Sequence, residues 1–112
     1  MKILLTGIIL SILSTSSYAD LASYYGRGFH GKKTASGEVF SQYAMTAASN
    51  SHKMGTKLKV TNVATGKSVI VKINDTGAFT RKYGRTLDLS QGAFARIAPL
   101  SQGICKVKIE RL

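Results

Sequence analysis

Five of the 112 residues are acidic, against 16 lysines and arginines, so each carboxylate stands out on a basic background. Three of the five lie where structure should hold them. Glu38 follows Gly37 in the segment KKTASGEVFSQYAMTAAS, Asp75 ends the run SVIVKIND just before Thr76-Gly77, and Asp88 sits inside LDLS. A carboxyl group at a strand end beside a turn has a rigid mount and an open side, which suits a general acid. Each also has a structural alternative. Glu38 can be a solvated loop acid. Asp75 can bond the N–H groups of its own turn, and Asp88 can accept hydrogen bonds at the mouth of the following helix. Other chemistries lack their residues. His30 and His52 are isolated, a single cysteine (Cys105) builds no zinc cluster, and no G-x-S-x-G segment is present. No metal and no cofactor are therefore expected. Two or three acids on a β framework is the arrangement that glycosidic-bond chemistry uses.

The elements that must position these acids are short. Leu21 to Tyr25 is a β-like start, and the glycines at 26, 28, 31 and 37 make Gly26 to Glu38 a loop. Tyr43 to Ala48 is a candidate strand. In KLKVTNV, Leu58 and Val60 alternate with polar residues; in SVIVKIND, Val69, Val71 and Ile73 share one face and Ile70, Lys72 and Asn74 the other. Ala64-Thr65-Gly66-Lys67 between these runs is a hairpin turn. RTLDLS supplies another strand, and Ser90 is a suitable N-cap for a helix over Gln91 to Ile97, halted by Pro99. In the closing CKVKIERL, Cys105, Val107 and Ile109 share a face, so Cys105 is expected in the core. The fold class is mainly β, with six short strands and one short helix. Gly-rich turns and the need to hide strand edges argue for a closed barrel.

The first 19 residues have the form of an export signal, with Lys2 at the start, an apolar stretch from Ile3 to Leu13, and Ser17-Tyr18-Ala19 as a cleavage site. Residues 1–19 are thus expected to be removed, leaving 20–112 as a single domain of 93 residues, periplasmic or secreted. No cysteine lies near the cut, so no lipid or other membrane anchor is expected. Without Lys2 the domain has 15 basic and 5 acidic residues, a formal charge of +10. That balance favours an anionic partner, and export makes it an envelope polymer rather than nucleic acid. A monomer is expected.

Taken in order, ASYYGRGFHGKKTASGEVF, YAMTAAS, MGTKLKVTNVATGKSVIVKINDTGAF and GRTLDLSQGAF resemble the rare lipoprotein A (RlpA) family. That family consists of septal-ring lytic transglycosylases with a double-psi β-barrel, related to expansins and barwin-like domains. The resemblance runs from Ala22 to Arg111. It implies cleavage of the bond between N-acetylmuramic acid and N-acetylglucosamine in peptidoglycan glycan strands, without water, leaving 1,6-anhydro ends. It further implies Asp75 as the essential acid of the N-D-x-G segment, Glu38 as a loop-borne wall of the substrate groove that stabilises charge at the sugar or tunes Asp75, and Asp88 as a third catalytic carboxylate. Thr34, Ser36, Ser49 and Asn74 are the implied substrate contacts, with Tyr24, Tyr25 and Phe79 as candidates for stacking on sugar faces. Two departures bear on activity: Ser49 follows Thr46-Ala47-Ala48 where many members carry His, and NDTGAF replaces the common N-D-R-G-P-F. A non-catalytic, expansin-like wall-binding module is the rival reading.

Overall fold

The computed structural model describes residues 20–25, 27–76 and 86–112, the Arg27 side chain excepted. Six strands form a closed barrel: β1 (Asp20–Tyr25), β2 (Thr46–Ala48), β3 (Lys57–Asn62), β4 (Ser68–Asp75), β5 (Leu87–Ser90) and β6 (Cys105–Arg111). Around the barrel the order is β1-β5-β2-β4-β3-β6. The pairs β1/β5 and β2/β4 are parallel and the rest antiparallel.

Alternation explains which side chains face inward. Leu58 and Val60 of β3, Val69, Val71 and Ile73 of β4, Leu87 and Leu89 of β5, and Cys105 and Val107 of β6 are all buried in one core. Between them, Lys57, Lys59, Ile70, Lys106 and Lys108 point outward and are exposed. Cys105 is fully buried, as its pattern suggested, and burial pushes its thiol up from the usual range.

The helix α1 spans Gln91–Ile97, as its sequence signals suggested. The Ser90 side chain accepts from Ala93 N–H at 3.1 Å, and Ala93, Phe94 and Ile97 pack into the core. Buried Asn62 donates to the Ile97 carbonyl at 2.7 Å, tying the end of α1 to β3. At the start of α1, Gly92 N–H donates to the Gln42 carbonyl at 2.8 Å. A Cβ at Gly92 would lie 2.6 Å from the Tyr43 carbonyl oxygen, so only glycine lets the long loop before β2 lie against the helix. β2 itself is shorter than the candidate Tyr43–Ala48 strand, and the hairpin turn between β3 and β4 is present, with Gly66 at φ 82°.

Candidate functional site

The site is built where β4, β2, β5 and β1 lie side by side. Ala47 pairs with Ile73 on one flank and Leu89 on the other, and all three face the core. One step along, Ala48 pairs with Asp75 and with Asp88. On β4 that step covers two residues, from Ile73 to Asp75, so Asn74 is a bulge. Strict alternation would put Asp75 on the core face with Val71 and Ile73. The extra residue reverses the parity and turns it outward. Asp75 and Asp88 therefore share the outer face with Ala48 between them, about 10 Å apart at Cα by two strand spacings. Ser23 of β1 completes the row, donating from its hydroxyl to Asp88 Oδ1 at 2.9 Å.

A loop closes over one side of this row. Within it Lys33 and Val39 form a β-bridge, Thr34 N–H donates to the Glu38 carbonyl at 2.8 Å, and Gly37, at φ 91°, makes the turn. The tip is fastened to the end of β4: Ala35 N–H donates to Asp75 Oδ1 at 3.1 Å and Ser36 N–H to the Asn74 carbonyl at 3.3 Å. Asp75 Oδ1 also accepts from Thr76 N–H at 2.8 Å. Thr34 and Ser36 join hydroxyls at 2.9 Å. Since Thr34 donates to the Glu38 carbonyl, the shared proton is Ser36's. Glu38 then reaches back to β4, accepting from Lys72 Nζ at 2.6 Å and from Asn74 Nδ2 at 3.2 Å. Those two bonds, Lys72 first, hold the Glu38 carboxyl below its ordinary range, so it is an anion at neutral pH.

Tyr25 projects over the same row. Its ring stacks on Phe40 at 4.6 Å and meets Phe29 edge-on at 5.4 Å. Its hydroxyl is buried, with no partner in ordinary hydrogen-bond geometry among the described residues. Burial first, then the charges of Asp75 and Asp88 and the proximity of the Asp75 carboxylate, push the phenol far above its usual range. Tyr25 thus keeps its proton and can only present it, to a carboxylate or to a ligand oxygen. Asn74, having given its amide to Glu38, has a buried carbonyl oxygen without a partner among the described residues. Two buried polar atoms without an ordinary hydrogen bond among the described residues, one donor and one acceptor, therefore border the carboxylates.

Of the residues singled out in the sequence, Glu38, Asp75, Asp88, Tyr25, Thr34, Ser36 and Asn74 come together here. Tyr24 stands apart. Its ring packs on Phe94 at 4.9 Å and its hydroxyl donates to the Leu100 carbonyl at 3.0 Å. Ser49 is buried, and its backbone N–H donates to the Asp75 carbonyl at 3.0 Å. Its hydroxyl oxygen accepts from the N–H groups of Ser51 and His52 at 3.0 and 3.1 Å, so it shapes the turn after β2. The N-cap of α1 is Ser90, two residues beyond Asp88. Phe79 lies outside the described residues. Sequence reasoning did not pick out Lys72 or Ser23. The signal was there in alternation, which puts Lys72 on Asn74's face and Ser23 on Tyr25's.

A family model described as lytic transglycolase matches residues 17–109. The chain belongs to that family. Its fold is an RlpA-like double-psi β-barrel. Among curated relatives of this lytic transglycolase-family chain, the probable endolytic peptidoglycan transglycosylase RlpA of a Nostoc species is 49% identical over 98 residues, covering 86% of this chain and 26% of the relative. The chain spans between 25% and 45% of the length of such relatives. Two solved structures share the fold at 22% identity. A Streptomyces papain inhibitor has a TM-score of 0.64, covering 85% of this chain and 93% of its own. A mutant Clavibacter michiganensis expansin in complex with cellohexaose has a TM-score of 0.62, covering 84% and 49%.

Proposed function

We propose that this chain cleaves peptidoglycan glycan strands as a lytic transglycosylase, working outside the cytoplasm after residues 1–19 have been removed. The observation that carries the proposal is the bulge at Asn74, which turns Asp75 out beside Asp88 under a loop that also holds an ionised Glu38. The relatives' names point to the same polymer. In this reading the Asp75 carboxylate takes up a proton as substrate covers it, and gives that proton to the glycosidic oxygen as the bond to the muramic anomeric carbon breaks. The muramic C6 hydroxyl then closes on that carbon, and its proton returns to the Asp75 carboxylate. One proton leaves and one arrives, and no water is consumed. Glu38, fixed by Lys72 and Asn74, faces the positive charge that develops at the sugar ring. Tyr25 donates to an oxygen of the substrate, and Asp88, held by Ser23, accepts from a sugar hydroxyl.

The test is product analysis. Purified protein is incubated with intact and with amidase-stripped sacculi, and the soluble fraction is examined by mass spectrometry. Fragments ending in 1,6-anhydromuramic acid are expected. Binding without such fragments would make the chain a wall-binding module instead. One observation favours that second reading: Ser49, at the position where the resemblance implies His in many members, accepts with its hydroxyl oxygen from two backbone N–H groups of its own turn.

A further inference from the structure

The outward face of β3, β6 and the part of β4 up to Ile70 lies beside the site just described, and four lysines give it a strong positive charge. Lys57 and Lys59 on β3, and Lys106 and Lys108 on β6, are all exposed on this face. Lys57 lies opposite Lys72, and Lys108 opposite Thr61. Neighbouring strands are about 4.8 Å apart and alternate residues about 6.7 Å apart. Each lysine Cα therefore lies within about 8 Å of the next, a spacing comparable with the screening length at physiological ionic strength. Like charges at such spacing work against the fold. One acid shares the face, Glu110, opposite Lys59. Among these cations are two exposed apolar side chains with the same outward parity: Ile70, which pairs with Lys59 and is 53% exposed, and Val63, just beyond the end of β3, 50% exposed. A polyanion alone would call for the lysines but not for a bare Ile70. A surface that is both negative and oily calls for both.

We propose that this face is a docking surface for an anionic lipid bilayer, with the lysines at the phospholipid headgroups and Ile70 entering the interfacial region. The proposal is independent of the cleavage reaction, because none of the four exposed lysines belongs to the site. It puts the barrel against a membrane with the acidic row to one side, where a polymer lying beside the bilayer can enter.

The experiment uses the protein from Asp20 onward and vesicles of phosphatidylcholine with or without phosphatidylglycerol. The chain has no tryptophan, so Ile70→Trp introduces a single reporter on the face, beside Lys59. Its emission should shift to the blue with phosphatidylglycerol vesicles and stay put with phosphatidylcholine vesicles or with sacculi. In co-sedimentation, the fourfold variant Lys57→Gln, Lys59→Gln, Lys106→Gln, Lys108→Gln should lose at least about tenfold in partitioning. A charge-matched control, Lys32→Gln, Lys33→Gln, Lys53→Gln, Arg96→Gln, should lose much less, and the fourfold Lys→Arg variant should bind like wild type. Equal losses in the two Gln variants would mean that only net charge matters, and would overturn the assignment. So would an Ile70→Trp emission that does not move with anionic vesicles, or one that moves with sacculi instead.

Discussion

Replacing Asp75 by Asn separates chemistry from architecture, and the structure gives both sides of the comparison. The fold uses Asp75 Oδ1 as an acceptor for Ala35 N–H and Thr76 N–H, and an amide oxygen can accept both. What is lost is the charge. A hydrogen bond to a charged group contributes about 1.5–3 kcal/mol and a neutral one about 0.5–1.5. Both bonds lie at the exposed end of the strand, where solvent screening halves the difference to about 0.5 kcal/mol per bond, about 1 kcal/mol for the pair. For a domain of this size that lowers Tm by about 4–8 °C. The loop tip stays fastened, because Ser36 N–H to the Asn74 carbonyl is untouched. Chemistry suffers far more, since Asn can neither give nor take the transferred proton. Losing general acid and base assistance costs about 10²–10⁴-fold in rate. The assay follows anhydro-ended fragments over time at a temperature well below both midpoints, alongside thermal unfolding. Wild-type release by Asp75→Asn would refute the role and pass it to Glu38 or Asp88. A loss of activity that tracks the unfolded fraction would leave Asp75 as no more than a turn residue.

Gly92→Ala should destabilise the protein by about 1–3 kcal/mol, read as a fall in the urea midpoint, although the same change inside a helix ordinarily stabilises it by about 1 kcal/mol. The backbone of Tyr43 at 2.6 Å is the reason. Spectrophotometric titration of the folded protein should show no less phenolate absorbance between pH 9 and 11 for Tyr25→Phe than for wild type, because the Tyr25 phenol stays protonated there. The Glu38 carboxyl is held below its ordinary value, so its contribution to anchoring the loop is present above the ordinary carboxylate range. It should vanish as pH falls through the lowered value. Amide protection factors at Thr34 and Glu38, measured against the intrinsic exchange rate at each pH, should then fall, and Glu38→Gln should show the lowered factors already at neutral pH.

Much of this architecture was legible in the residues. Ser90 before an apolar-periodic run marked the start of α1, and alternation around Leu58, Val71 and Val107 marked the inner face. Both signals are local, and nothing tertiary overrides them. The bulge at Asn74 was not legible. SVIVKIND alternates without a break, and only pairing with a three-residue β2 shows where the register slips. The Lys33–Val39 bridge was hidden for a related reason: a glycine-rich stretch with no apolar period looks irregular until its backbone bonds are seen. Glu38, Asp75 and Asp88 stood out because acids are scarce here. That Tyr25 would overhang them depended on strand order, which no local pattern encodes.

The shortest strand has the widest reach in time. β2 has only Thr46, Ala47 and Ala48, all buried, yet it is the strand that joins β4 to β5 in the sheet. Until those three residues have slid between strands drawn from later parts of the chain, Asp75 and Asp88 belong to separate pieces of an open sheet. The acidic row thus exists only once both pairings of β2 have formed. A chain still threading through a membrane, or one nicked in the loop before β2, carries every residue of the site and none of its geometry. Under the proposed function the target is the wall that keeps the cell intact, and closure of the fold doubles as a safety catch.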